Sequence, residues 1–124
     1  MKEQIIQEIQ SEIIRFTIDF FRDKGFIHLL PVMLSPITDP LGPDPNSSVI
    51  KTAEIEYLGQ GLQLMQSMIL HKQIALSNGF DKIFLLSPNI RLEHPKRNKS
   101  GKHLFEFTQL DFEIKNAKIL ISLN

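Results

Sequence analysis

The sequence contains no cysteine. That excludes disulfide staples and thiolate metal sites, and it suits a reducing cytoplasm. Nor is there an excess of either charge: fourteen Lys and Arg balance fourteen Asp and Glu. With no global field to draw the chain to nucleic acid or an anionic membrane, any basic feature has to be local. No apolar run approaches the roughly 20 residues that cross a bilayer. The opening MKEQIIQEIQSE alternates charge with isoleucine, unlike the unbroken apolar segment of a signal peptide. The expectation is a soluble, cytoplasmic protein. A chain of 124 residues, 42% apolar and 23% charged, has room for one domain with one core.

What is present is patterned. From about Glu3 to Lys24, Ile5, Ile9, Ile13, Phe16 and Phe20 recur at helical spacing, and Ile6, Ile14 and Phe21 widen the stripe. Gly25 is a natural stop, since glycine adopts the left-handed conformation that ends helices. FIHLL then predicts a short strand closed by Pro31, which has no amide proton to give a central strand. SPITDPLGPDPNSS, with four prolines, excludes helix and central strand and predicts a long loop, functional or mobile. Residues 49–57 and 62–66 predict a hairpin about Leu58-Gly59-Gln60-Gly61. Ser67 is placed to cap a helix carrying Met68, Ile69, Ile74, Ala75 and Leu76, which ends near Asn78-Gly79. KIFLLSP predicts a buried strand. No internal repeat is present, and the order of elements gives an α+β class: a mostly antiparallel sheet with helices packed on it.

The stretch RLEHPKRNKSGKHLFEFTQLDFEI poses the functional question. In a strand, alternate side chains point to opposite faces. From residue 103 to 114, one face carries Leu104, Glu106, Thr108, Leu110, Phe112 and Ile114, and is expected to be mainly core. The other carries His103, Phe105, Phe107, Gln109, Asp111 and Glu113. On the preceding strand Asn89, Arg91 and Glu93 face one way. Pairing the two strands across the loop at 94–102 brings both polar sets to one side. Such a platform offers a guanidinium for phosphate oxygens, a ring for a purine and acids for an ammonium. A solvent-facing surface of paired charges accounts for the alternation equally simply. Two large aromatics on the polar face argue against it.

Arg91-x-Glu93, the loop, and His103-x-x-Glu106-Phe107-Thr108-x-x-Asp111-x-Glu113 resemble motif 2 of the class II aminoacyl-tRNA synthetases, nearest the aspartyl and asparaginyl subclass. GFIHLLPVML resembles motif 1, including its proline at Pro31, and MQSMILHKQ resembles the amino-acid-binding segment upstream of motif 2. The wording SPITDPL, SMILHKQ, FLLSPNIRLE and HLFEFTQLDFE is most similar to archaeal asparagine synthetases related to aspartyl-tRNA synthetase. The resemblance divides the chain into motif 1 at about 10–36, the amino-acid segment at 62–73 and motif 2 at about 84–114. It implies the class II antiparallel sheet flanked by helices, a homodimer built on motif 1, and ATP with Mg2+ as cofactors. The reaction it implies is activation of aspartate to aspartyl-adenylate, with ammonia or a tRNA end as acceptor, tRNA being the less favoured.

Residue by residue, the resemblance makes Arg91 the catalytic group, on the α-phosphate, with Glu93 and Phe107 at the adenine and His103 at the outer phosphates. Asp111 would take the substrate ammonium, Gln109 would lie near the reacting carboxylate, Lys72 would pair with the side-chain carboxylate, and Ser67 would line the pocket. Glu113 is placed near Mg2+, and no other protein ligand for a metal is expected. Lys96, Arg97, Lys99 and Lys102 would face RNA, or simply form a wet basic loop. His28, His71 and His94 carry no expected role.

Two departures shape the expectation. Ile69 stands where the synthetases commonly have glutamine two residues past the serine, which suits the asparagine-synthetase branch. Motif 3, a glycine-rich turn and helix with an Arg for the terminal phosphate, is expected beyond motif 2, but the sequence runs to KNAKILISLN without it. The preferred expectation is therefore a truncated, N-terminal-half homologue of an aspartate-activating ligase that keeps the motif 2 nucleotide site and has little independent catalysis. The alternatives are one chain of a split ligase whose second chain carries motif 3, and a non-catalytic dimeric binding module.

Overall fold

A computed structural model describes residues 1–37, 49–93 and 104–117. Helix α1 runs Lys2–Asp23. It ends where the sequence predicts, because Gly25 takes a φ of +83° and its amide turns back to the Arg22 carbonyl at 3.0 Å. The Phe26 amide then reaches the Phe21 carbonyl at 3.0 Å, which folds one ring against the other, centroids 5.0 Å apart and nearly perpendicular.

Strand β1 (Ile27–His28) lies parallel to β6 (Lys82–Ile90), and β8 (Glu106–Ile114) runs antiparallel along the other side of β6. The expected strand at FIHLL is thus two residues long, ending before Pro31, and it adds a parallel pair to a sheet expected to be mostly antiparallel. The other pairings among the described residues are antiparallel: β2 (Leu34–Ser35) with β5 (Gln60–Leu64), β4 (Glu54–Tyr57) with β5, and β3 (Val49–Lys51) with β7 (Leu92–Glu93). Helix α2 (Ile69–Ser77) connects β5 to β6.

The hairpin is present but tighter than expected. Tyr57 pairs directly with Gln60, so only Leu58 and Gly59 turn the chain, both at positive φ (+52° and +76°). That geometry matches the right-handed twist of the flanking strands. The strand expected over 49–57 breaks at Thr52 and Ala53, and β3 leaves the hairpin to pair with β7. The break is held locally, for Thr52 Oγ1 accepts a bond of 2.9 Å from Gln66 Nε2 and the Ala53 carbonyl accepts one of 2.9 Å from the Leu64 amide.

Register fixes the two faces of the β1–β6–β8 sheet. Phe84 pairs with Phe112, Leu86 with Leu110 and Pro88 with Thr108 on the outer face; Leu85 with Asp111, Ser87 with Gln109 and Asn89 with Phe107 on the inner face. Phe84 joins buried Phe21 and Phe26 beneath α1, with Ile18 packed against them. Leu85 joins Met65 and Met68 on the opposite side, with Leu29 and Val32 at the margin.

Two expectations about coverage are corrected by this packing. Along α1, Ile5, Ile9, Ile13, Phe16 and Phe20 are exposed and only Phe21 is buried, because the helix meets the sheet through its C-terminal part. In β8, the face expected to be core is the open one: Leu110, Phe112 and Ile114 remain 40–49% exposed, while Phe107, Gln109, Asp111 and Glu113 are half-buried. The reason is unequal cover. The outer face has Phe21 against Phe112 but an open groove between Ile13, Ile14, Leu86 and Leu110, whereas α2 and the segment before it roof the polar face. No helix among the described residues is long and apolar enough to cross a membrane.

Candidate functional site

The inner face of β6 and β8 carries Ser87 and Asn89 on one strand and Phe107, Gln109, Asp111 and Glu113 on the other. α2 lowers Lys72 onto it, where Nζ lies 3.0 Å from Asp111 Oδ1 and 3.2 Å from Glu113 Oε1. Lys72 and Asp111 are nearly enclosed, their side chains 10% and 13% exposed. Burial works against the ammonium, but hydrogen bonds and charge from Asp111 and then Glu113 outweigh it, so Lys72 titrates above the ordinary lysine value. The second Asp111 oxygen, Oδ2, accepts a bond of 3.1 Å from the Ser87 hydroxyl. Beside it, Asn89 Nδ2 donates to Gln109 Oε1 at 3.0 Å.

At the other end, the Arg91 guanidinium lies over the Phe107 ring, 5.1 Å from its centroid. Arg91 Nε donates to the Gln66 carbonyl at 2.9 Å, which leaves the two terminal amino groups of the fork as donors for an anion. The strand is tied to the same connection by the Ile90 amide, which reaches the Met65 carbonyl at 2.8 Å. The turn 65–68 is therefore a shared support: it roofs the sheet, buries Met65 and Met68, and holds Arg91 by its backbone.

Arg91, Phe107, Gln109, Asp111 and Glu113 thus share one surface, as the alternation predicts, and α2 adds Lys72 to it. Glu93 lies beyond Arg91 on β7, with Oε2 buried and without a hydrogen-bond partner. Ser67 sits in the turn before α2, where its Oγ accepts the Ile69 amide at 3.1 Å; the helix N-cap proper is Met68. His103, Lys96, Arg97, Lys99 and Lys102 lie outside the described residues. Of the residues without an expected role, His28 stacks on Phe84 and His71 lines an apolar recess beneath α2 with its Nδ1 buried and unpartnered.

Sequence reasoning missed Ser87 and Gln66, and it placed Asn89 on the polar face without giving it a role; all three are buried polar groups. The signal was available for two of them: Ser87 and Asn89 interrupt an apolar strand at a spacing of two, which puts both on one face. Buried polar side chains need partners, and a polar opposing face supplies them.

Among the described residues no three His, Asp or Glu side chains gather as metal ligands. Asp111 is occupied at both oxygens, by Lys72 and Ser87, so Glu113, 39% exposed, is the carboxylate left with room for a hard cation. That fits a Mg2+ ion brought in by a nucleotide.

Residues 1–120 match the profile of the family described as tRNA synthetases class II (D, K and N). The chain belongs to that family. The class II synthetase fold is also that of an asparaginyl-tRNA synthetase from Pyrococcus horikoshii, solved as a complex with asparaginyl-adenylate. The two superpose with a TM-score of 0.70 over 90% of this chain and 23% of that one, at 22% sequence identity. At that identity the likeness speaks for the fold, and the α+β class II arrangement of sheet and helices is established by it. This class II synthetase chain spans less than a quarter of the length of that relative, 23%.

Proposed function

We propose that this chain forms the nucleotide- and aspartate-binding part of a class II ligase of the aspartyl-tRNA synthetase or asparagine synthetase type. The observation that carries the proposal is the inner sheet face itself, on which a guanidinium backed by a ring shares one surface with a lysine that α2 sets between two carboxylates. In this reading residues at about 10–36, 62–73 and 84–114 serve as motif 1, the amino-acid segment and motif 2.

The chemistry follows from the donor set. An α-carboxylate oxygen of aspartate attacks the α-phosphorus of ATP, the bond to the β-phosphate oxygen breaks, and pyrophosphate leaves with the electron pair. Arg91 presents its free fork to the α-phosphate, whose oxygens gain charge in the transition state. Phe107 offers an apolar surface to adenine, with Glu93 as an acceptor for its amino group. Lys72 has three N–H donors and two are engaged, so the third is open to the substrate side-chain carboxylate. Asp111 receives the substrate ammonium on the oxygen lone pairs that Lys72 and Ser87 leave open. Mg2+ would neutralise the leaving phosphates, with Glu113 as its neighbouring carboxylate.

Motif 3 is not among these residues, so what is proposed for them is binding. Adenylate formation belongs to an assembly that also supplies a cation for the terminal phosphate, in the same protein or from a second chain. Calorimetric titration tests the proposal. ATP and aspartate should each bind, asparagine should bind more weakly than aspartate, and Arg91→Ala should lose ATP alone. Absence of binding by both ATP and aspartate rejects it.

A second reading, a dimeric binding module, is favoured by the exposed face of α1. Ile5, Ile9, Ile13 and Phe16 are each 54–68% exposed. A contiguous apolar face of this kind is characteristic of an interaction surface, and in this reading it pairs two copies of the chain.

A further inference from the structure

Asn89 is completely buried in β6, a strand whose Ile83, Phe84 and Leu85 are 0–1% exposed. One end of its amide is used and the other is not: Nδ2 donates to Gln109 Oε1 at 3.0 Å, while Oδ1 is buried without a partner. A buried unpaired acceptor destabilises the fold. Valine at this position would suit the strand better and remove the penalty. A group kept at a cost to stability and directed at one neighbour points to a role in setting that neighbour.

The neighbour is Gln109, whose amide can be turned either way. With Asn89 Nδ2 as the donor, the end of Gln109 held against the sheet is its oxygen. The NH2 end is then the one left to meet a ligand. Ser87 acts alike one step along the strand, its hydroxyl bonding one Asp111 oxygen while Lys72 bonds the other. Two alternate residues of β6 thus define which atoms of β8 are presented.

We infer that Asn89 is a positioning residue, which fixes the Gln109 amide so that it offers N–H donors to a ligand carboxylate. The inference rests on the proposed reading of Gln109 as a ligand contact. Freely turning, the amide would present its oxygen part of the time and repel that carboxylate.

The first test needs no ligand. Relaxation of the Gln109 side-chain NH2 signal, measured by nitrogen-15 NMR, should report a rigid amide in the native chain and a mobile one in Asn89→Val. Asn89→Ser, too short to reach Gln109, gives the same readout should the valine variant not fold. Equal order with and without Asn89 overturns the inference. Thermal unfolding should show Asn89→Val as stable as the native chain or more so, and a large loss of stability would mark Asn89 as a structural residue instead. The second test titrates L-aspartate. Asn89→Val should weaken binding on the order of tenfold, with no further weakening when added to Gln109→Ala. An equal loss in both backgrounds overturns the inference. A native chain that binds neither aspartate nor ATP rejects the proposed function, and the NMR comparison still decides whether Asn89 orients Gln109.

Discussion

Lys72 Nζ lies 3.0 Å from Asp111 Oδ1, and this contact joins α2 to β8 across the inner face of the sheet. With Glu113 also within 3.2 Å, two carboxylates share one ammonium and the cluster is anionic. Removing the lysine leaves both acids facing each other under a helix. Lys72→Met should therefore destabilise the fold by about 3 kcal/mol, the usual effect of breaking one side of an enclosed ion pair. Urea unfolding checks this, and Asp111→Asn should cost less because Lys72 keeps Glu113.

The same contact sets a pH dependence. Lys72 titrates higher in the folded chain than its ordinary 10.5, so the native state binds the proton more tightly than the unfolded one. Its contribution is complete below the unfolded value and is lost as pH rises through the higher native value. Stability measured from neutral pH to beyond about 10.5 should fall more steeply at the alkaline end in the native chain than in Lys72→Met. The difference between the two isolates Lys72 from other groups that titrate there. Parallel curves would show that the pair is not formed in solution.

The part of this site that the sequence discloses is its periodicity. Alternation in β8 places Phe107, Gln109, Asp111 and Glu113 together, and the helix stop at Gly25 and the turn near Gly59 follow from backbone chemistry that glycine alone satisfies easily. Coverage is not periodic, and there the sequence misleads. Leu110 and Phe112 have the composition of a core face, yet which face is roofed depends on where the chain passes between β5 and α2. That path is set by long-range contacts such as the Ile90 amide on the Met65 carbonyl. The link from Lys72 to Asp111 is equally invisible to local pattern, since a lysine on a short helix is ordinarily solvated. Ser87 was legible in principle, as a polar residue two positions before Asn89 in an apolar strand.

Leu58 carries a testable strain. It turns the hairpin at a φ of +52°, a left-handed conformation that a branched side chain adopts reluctantly. Asn tolerates that conformation, and Asn-Gly is the preferred pair for a two-residue turn of this type. Leu58→Asn should stabilise the chain by about 0.5–1 kcal/mol, while also removing an exposed leucine. Thermal unfolding checks the sign, and a loss of stability would mean that the leucine packs against something in solution.

Arg91 should not be replaceable by lysine. Three of its features suit guanidinium: its place over the Phe107 ring, the Nε bond to the Gln66 carbonyl, and the two amino groups left over for an anion. A lysine ammonium is a point donor and cannot hold the Gln66 carbonyl while also presenting a flat fork. Arg91→Lys should accordingly weaken ATP binding nearly as far as Arg91→Ala, by about tenfold or more. Full retention of ATP affinity in Arg91→Lys would remove the fork from the proposed mechanism.

The face of α1 yields the last prediction. Ile9 and Ile13 are 54% and 58% exposed and one helical turn apart, in the middle of the run that includes Ile5 and Phe16. Neither lies in the Phe21 cluster that attaches the helix to the sheet, so charge at these two positions disturbs the apolar face more than the fold. Glutamate is also a good helix former, which keeps α1 intact. If two copies meet through this face, the double variant Ile9→Glu, Ile13→Glu places four carboxylates in a desolvated contact, and dimers should give way to monomers over the concentration range where the native chain is paired. Sedimentation velocity reads the change directly, and circular dichroism confirms that helix content is kept. A native chain that sediments as a monomer throughout, or a double variant that remains paired, would dissociate the α1 face from self-association and leave the ligand site on the other side of the sheet unaffected.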